Sequence, residues 1–309
     1  MTVRPFQPTD APAWVALTNR VLNRHTTLDA WQADETRRPP DRLHCRWVTE
    51  QDGSVVGTAA LYEWAFAPPG YLHAQVLVHP AARRQGRGAA LAAPLLATAR
   101  DTGAAGLQAD VSDADPDSLR WAQARGFVHA AHRFTSELDL RTFDPSPFQP
   151  RLDRVTEQGV TITDLVGADE AALDRYLNFV ADRLPDTPDL AGHPRWPLAQ
   201  VRETLHLDRD PRPEWLVQAL APDGTLLGIS ALVHYRDMAY NEFTAVHPQA
   251  RGRGLALPMK LHAIRRAQEA GLRTMRTNNH SRNAPMIAVN DRLGFVRQPG
   301  RFELHLPLR

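Results

Sequence analysis

The stretch VHPQARGRGLALPMKLHAIRRA, Val246–Ala267, decides how the rest of the chain is read. The apolar run AYNEFTAV leads into it with the composition of a strand. A turn of glycine and arginine follows. Apolar side chains then recur at helical spacing until Gly271 ends the segment. A helix start leaves about four N–H groups without intrahelical partners, and the macrodipole adds partial positive charge there. Glycine at that place lets an anion approach bare backbone. Strand, Gly/Arg turn and helix together therefore predict an anion site.

The same sentence occurs earlier, as VHPAARRQGRGAALAAPLLATA, Val78–Ala99. His79-Pro80 and His247-Pro248 lie 168 positions apart. Gly86 and Gly254, Gly103 and Gly271, Gly126-Phe127 and Gly294-Phe295, and Arg133-Phe134 and Arg301-Phe302 keep that spacing. Upstream, Asp52–Leu61 matches Asp223–Leu232 at a spacing of 171. A period this long is a duplicated domain, not a solenoid unit. The expected domains are residues 1–145 and 152–309, joined near Arg141–Asp153, where three prolines favour an extended linker. Each copy reads β-α-α-β-β-β-α-β-α-β-β. The fold class is α/β (α+β), a mixed sheet with helices on both sides.

Composition limits the function classes. The 309 residues are 43% hydrophobic and 23% charged, enough for two cores. A net charge of +1 gives no global case for nucleic acid or a membrane surface as partner. No apolar run has the length of a membrane span, and the N-terminus has no signal-peptide core. Cys45, the single cysteine, fits a reducing compartment, so a cytoplasmic location is expected. The 13 histidines show no metal-ligand spacing, and no metal is expected.

The two turns, Arg83-Arg84-Gln85-Gly86-Arg87-Gly88 and Arg251-Gly252-Arg253-Gly254-Leu255-Ala256, share the pattern R-x-x-G-x-[GA]. Neither is G-x-x-x-x-G-K-[ST], and neither has the third glycine of G-x-G-x-x-G. With AVHPQARGRGLA before a helix and NAPMIAVNDRLGF after the next strand, the chain resembles the GNAT superfamily of acetyl-CoA-dependent N-acyltransferases. The resemblance covers both copies. It implies two tandem domains, each a mixed, mostly antiparallel twisted sheet of about six to seven strands flanked by about four helices.

The resemblance also implies site residues. The turn amides of Arg251–Ala256, and of Arg83–Gly88, would hold the pyrophosphate of acetyl-CoA. Thr244, Ala245 and Val246, and Val76, Leu77 and Val78, would line the pantetheine on a splayed strand. Asn283 would bond the pantetheine, whereas the first copy has Asp115, which cannot donate. Many family members carry a Tyr acid four residues before the Gly of L-G-F; here Asn290 and Ala122 stand there. Asn290 is the candidate hydrogen-bond donor to the leaving sulfur.

An ammonium with a pKa of about 10 must lose a proton before it attacks, so a base is required. Strand alternation predicts Tyr240, Glu242, Thr244 and Val246 on one face, making Glu242 the candidate base. The first copy has Ala74 there, with Glu63 and His73 as its nearest alternatives. Thr277–Asn283 reads as a polar loop in which Asn279 is a possible contact. Trp31 and Trp196 read as core residues or as acceptor-pocket lining. The expected activity is N-acetyl transfer by direct attack, centred in the second copy, on a small-molecule or peptide primary amine. Oxygen and sulfur acceptors stay open. The alternative is a non-catalytic CoA-binding module or sensor. A monomer is expected, since the tandem arrangement mimics a dimer, with a homodimer as the other possibility.

Overall fold

The computed structural model describes residues 2–235 and 237–308. In chain order its elements are β1 (Val3–Pro5), α1 (Ala11–Leu22), α2 (Leu28–Thr36), β2 (His44–Gln51), β3 (Ser54–Tyr62), β4 (Tyr71–Val78), α3 (Arg87–Asp101), β5 (Gly106–Ser112), α4 (Pro116–Gln123) and β6 (Val128–Asp139). They continue with α5 (Gln149–Glu157), β7 (Thr161–Thr163), α6 (Glu170–Arg183), α7 (Leu198–Thr204), β8 (Leu216–Leu220), β9 (Leu226–Tyr235), β10 (Met238–Val246), α8 (Ala256–Glu269), β11 (Thr274–His280), α9 (Ala284–Arg292) and β12 (Val296–Pro307).

The chain forms two compact units, Met1–Ala130 with Phe302–Arg309, and Ala131–Arg301. In the first, β1 to β4 pair antiparallel in sequence order, and β5 lies parallel to β4. In the second, β7, β8, β9 and β10 pair antiparallel, β11 lies parallel to β10, and β6 closes antiparallel on β11. Each unit is thus a mostly antiparallel sheet with a single parallel pair.

The units do not follow the expected boundaries at 145 and 152. The end of the first copy, Ala131–Asp139, belongs to the second unit, and Phe302–Arg309 belongs to the first. Leu306 and Leu308 pack in the core formed by Leu61, Leu91, Leu95 and Leu107, and the Leu308 N–H donates to the Ala105 carbonyl at 2.9 Å. A strand pairs with whatever edge is present, and local sequence does not say which sheet supplies it.

The expected extended linker is also corrected. Ser146–Phe148 forms a 3₁₀ turn that leads directly into α5. Pro150 sits in the first turn, where its missing N–H costs nothing. Val155 is buried, and Leu152 and Phe148 pack on the second unit's core. That core lies between the sheet and α8, whose Leu257, Met259, Leu261 and Ile264 are buried. Side chains of this kind contribute about 1.5–3 kcal/mol each when fully buried. They hold the helix start, and so the turn before it, in place. Among the described residues, no helix is long and apolar enough to cross a membrane.

Candidate functional site

The two Gly/Arg turns adopt one conformation. Gly252 (φ +79°) and Gly254 (φ +80°) are left-handed, and so are Arg84 (φ +61°) and Gly86 (φ +76°) at the matching positions. A Cβ at Gly252 or Gly254 would meet no atom within 4 Å, so the backbone there faces open space. The leading arginines fold the turns back on their strands. Arg251 Nε donates to the Val246 carbonyl at 3.4 Å, as Arg83 Nε does to Val78 at 3.2 Å. Arg251 also pairs with Asp186 at 2.7 Å, and Arg253 Nε donates to Gln158 Oε1 at 3.3 Å. The arginines build the turn, and α8 starts directly after it at Ala256. Leu255 contributes a buried side chain, which anchors the turn.

Beyond the turn the sheet opens. β10 pairs with β11 only at Ala239 and Tyr240, although β10 runs to Val246 and β11 to His280. The first unit does the same, with β4 paired to β5 only from Tyr71 to His73. Among the described residues, Thr244–Val246 have no strand pairing on the β11 side, and Val76–Val78 none on the β5 side. An extended amide-bearing chain can use that backbone as it would a neighbouring strand.

β10 carries a feature that β4 lacks. Its register on β9 shifts between Asn241, opposite Leu232, and Phe243, opposite Ala231. Glu242 is the extra residue of a β-bulge. This corrects the expectation that Tyr240, Glu242, Thr244 and Val246 share one face. A bulge reverses the alternation, so Asn241, Thr244 and Val246 lie on one side with Ser230, and Tyr240, Phe243 and Ala245 on the other. Hydrogen bonds confirm the parity. Asn241 Nδ2 donates to Ser230 Oγ at 3.2 Å and to the Ala231 carbonyl at 3.0 Å, and Thr244 Oγ1 donates to Asn241 Oδ1 at 3.1 Å. Thr277 Oγ1 donates to the Asn241 carbonyl at 3.1 Å. Lys260 Nζ donates to Asn241 Oδ1.

Glu242 keeps some exposure, yet protein atoms crowd it from most directions, as they would a group on a cleft wall. Desolvation pushes its carboxyl up from 4.5 to about 7. The Tyr240 hydroxyl is pushed well above its ordinary value, first by burial and then by the Glu242 charge, so it stays a neutral donor. Burial lowers the Lys260 amine to about 7. Two groups that titrate near neutrality thus meet at the bulge, Glu242 in it and Lys260 on the helix packed against it.

At the next helix the copies diverge. Asn283 occupies the N-cap of α9, but its side chain makes no capping bond. Asp115 caps α4: it accepts from the Ser118 N–H at 3.0 Å and from Ser118 Oγ at 2.7 Å, and Arg83 lies 3.6 Å away. The expected ligand atom is committed in the first unit and uncommitted in the second. Thr277–His280 is not the expected loop but part of β11, and Asn279 is 4% exposed. Its Nδ2 donates to Ser136 Oγ at 2.9 Å, and its Oδ1 accepts from Asn290 Nδ2 at 2.7 Å. Asn290 is 1% exposed, and its Oδ1 has no hydrogen-bond partner among the described residues. Asn290 therefore turns an acceptor, not its amide donor, to the one unpartnered side.

Glu63 is exposed and accepts from the Leu43 N–H at 3.4 Å. His73 is buried beside the Tyr62 and Trp64 rings. Trp196 is 5% exposed, and Trp31 lies under the Arg46 guanidinium at 5.1 Å. Lys260, Asn241 and Ser230 were missed in the sequence. The only signal was a lysine at an apolar position of an amphipathic helix.

Residues 12–127 match the acetyltransferase (GNAT) family, and residues 150–277 match an acetyltransferase (GNAT) domain. The chain is a tandem GNAT protein. Membership makes it an N-acetyltransferase. Over 273 residues the tandem GNAT protein is 29% identical to a mycothiol acetyltransferase of Rhodococcus erythropolis, covering 82% of this chain and 81% of the relative. A GCN5-related N-acetyltransferase from Sphaerobacter thermophilus shares the fold with a TM-score of 0.78 at 19% identity, over 100% of this chain and 96% of the other. A tandem GNAT protein from the clavulanic acid biosynthesis pathway does so with a TM-score of 0.71 at 23% identity, over 99% and 98%.

Proposed function

We propose that the tandem GNAT protein transfers the acetyl group of acetyl-CoA to a primary amine, and that the working site is the second unit. The Arg251–Ala256 turn binds the pyrophosphate through its amides. Thr244–Val246 and the Asn283 side chain hold the pantetheine. Glu242 takes the proton of the acceptor ammonium, and the freed amine attacks the thioester carbonyl directly. The carbonyl oxygen accepts from backbone N–H of β10, which steadies the charge that develops there. Departing thiolate is a tolerable leaving group and takes up the second proton that the nitrogen sheds as the amide forms, so the reaction runs without the tyrosine acid. Asn290 steadies the Asn279 side of the cleft instead of protonating sulfur.

The observation that supports this reading is the register shift at Glu242, an extra residue in the strand that leads into the anion turn, whose carboxyl burial lifts to about 7. The first unit has a turn but no register shift between β3 and β4, and its Asp115 is committed to its own helix. That favours a second, non-catalytic reading for that unit alone. The test is acetyl transfer to a panel of primary amines, with mycothiol-type acceptors added because the Rhodococcus relative is named for them. Gly254→Glu places a carboxylate where the pyrophosphate lies and abolishes transfer, while Gly86→Glu leaves it. The reverse pattern moves the site to the first unit. A panel with no transfer by protein that still binds CoA refutes turnover.

A further inference from the structure

The duplication supplies an internal control for the bulge. Four polar side chains meet around Asn241 in the second unit: Ser230, Thr244 and Lys260 bond its side chain, and Thr277 bonds its carbonyl. At the aligned positions the first copy has Ala59, Val76, Ala92 and Ala109. There β4 pairs with β3 without a register shift from Gly57–Val78 to Tyr62–His73. Bulge and polar cluster are present together in one unit and absent together in the other.

Lys260 is the costliest member. It is 2% exposed, projects from α8 beneath β10, and its ammonium end has Asn241 Oδ1 as hydrogen-bond acceptor and the Phe295 ring centroid at 5.3 Å. A lysine at a core position of a helix is expensive unless it secures something. What it secures is the residue directly before the extra residue of the strand. We propose that Lys260 is a positioning residue: it holds Asn241 from below β10, maintains the bulge, and so keeps the Glu242 carboxyl in the strand split. The inference rests on Glu242 as the base and adds the group that places it. Burial lowers the amine to about 7, so Lys260 spends part of its time neutral and needs no buried counter-ion.

Lys260→Met removes the donor while keeping the apolar stem, and such buried replacements are often neutral for folding. The expected result in the full chain is a kcat lower by about 100-fold, the loss typical of a base misplaced by about an ångström. The KM for acetyl-CoA stays within about 2-fold, because the turn is untouched. Lys260→Gln keeps a donor and recovers most of kcat. In a Glu242→Gln background, Lys260→Met adds less than about 2-fold. A structure of the Met variant shows Glu242 opposite Ala231, with the register continuous. If the Met variant does not accumulate, Asn241→Ala removes the acceptor instead and is read the same way. An unchanged kcat, an equal loss in the Glu242→Gln background, or no recovery in the Gln variant overturns the proposal. Wild-type kcat in Glu242→Gln alone refutes the base assignment, without touching Lys260, and removes the route by which Lys260 acts.

Discussion

Protein atoms crowd the Glu242 carboxyl and lift its pKa from 4.5 to about 7, and this shift bears on turnover and stability in opposite directions. As the proposed base, Glu242 works only when ionised, so kcat/KM is expected to rise with pH through about 7. Glu242→Gln removes that limb and lowers kcat/KM by about 10²–10⁴. For stability the sign reverses. The folded state holds a proton that the unfolded state has released between about 4.5 and 7. The benefit of the raised pKa is therefore whole below about 4.5 and lost as pH rises through 7. At pH 8 the folded chain carries a poorly solvated carboxylate, so Glu242→Gln is expected to raise stability by about 1–3 kcal/mol, and to leave it unchanged at pH 4. Thermal unfolding at the two pH values checks this. A variant destabilised at pH 8 would contradict the desolvated placement. Lys260 slopes the other way. Its folded pKa is lowered, so the unfolded state holds more protons between about 7 and 10.5, and stability rises with pH across that window.

Among the elements, the starts of α4 and α9 show how one structural position takes two jobs. Asp115 secures its helix with two bonds from Ser118, and Asp115→Ala costs about 1 kcal/mol of stability. Asn283 makes no such bond, so Asn283→Ala leaves the melting temperature unchanged and weakens acetyl-CoA binding by about 3–10-fold. Calorimetry of unfolding and of CoA binding on both variants separates the two. A stability loss for Asn283→Ala with intact affinity would assign it a capping role. The β10 bulge belongs to this scale as well. Alternation along AYNEFTAV is visible in the sequence, but one inserted residue reverses the parity, and no composition rule marks where that residue falls. TNNH departs from its expected loop for a related reason. Its polar residues suit a loop, yet they form strand β11 because Ser136, Phe134 and Asn290 satisfy Asn279 in the interior.

In the whole molecule, each unit completes its sheet with chain from the end of the other copy. A chain stopped after Arg301 loses the partly buried Leu306 and Leu308 from the first unit's core, and about 1–3 kcal/mol with them. The expected outcome is selective: residues 2–130 become protease-sensitive, while the second unit keeps its protection. Equal protection in both units would show that the final strand is dispensable. Fragment 1–145 is expected to fail in the same way, since it lacks Phe302–Arg309. Gly106 points to the same crowding, because a Cβ there would lie 2.4 Å from the Tyr71 ring and 2.8 Å from the Leu306 carbonyl.

The sequence by itself determined what depends on neighbours along the chain. The duplication and the strand–turn–helix unit were legible in ARGRGLA and its twin, and the left-handed Gly252 and Gly254 suit a turn that glycine makes without strain. Tertiary structure decided what depends on distant partners. It set the bulge that aims Glu242, the burial that brings Glu242 and Lys260 close to neutrality, the commitment of Asp115 but not Asn283, and the sheet that each final strand joins. The reason is common to all of these. Register, desolvation and edge pairing are set by atoms far apart in sequence, and a linear pattern carries no record of them.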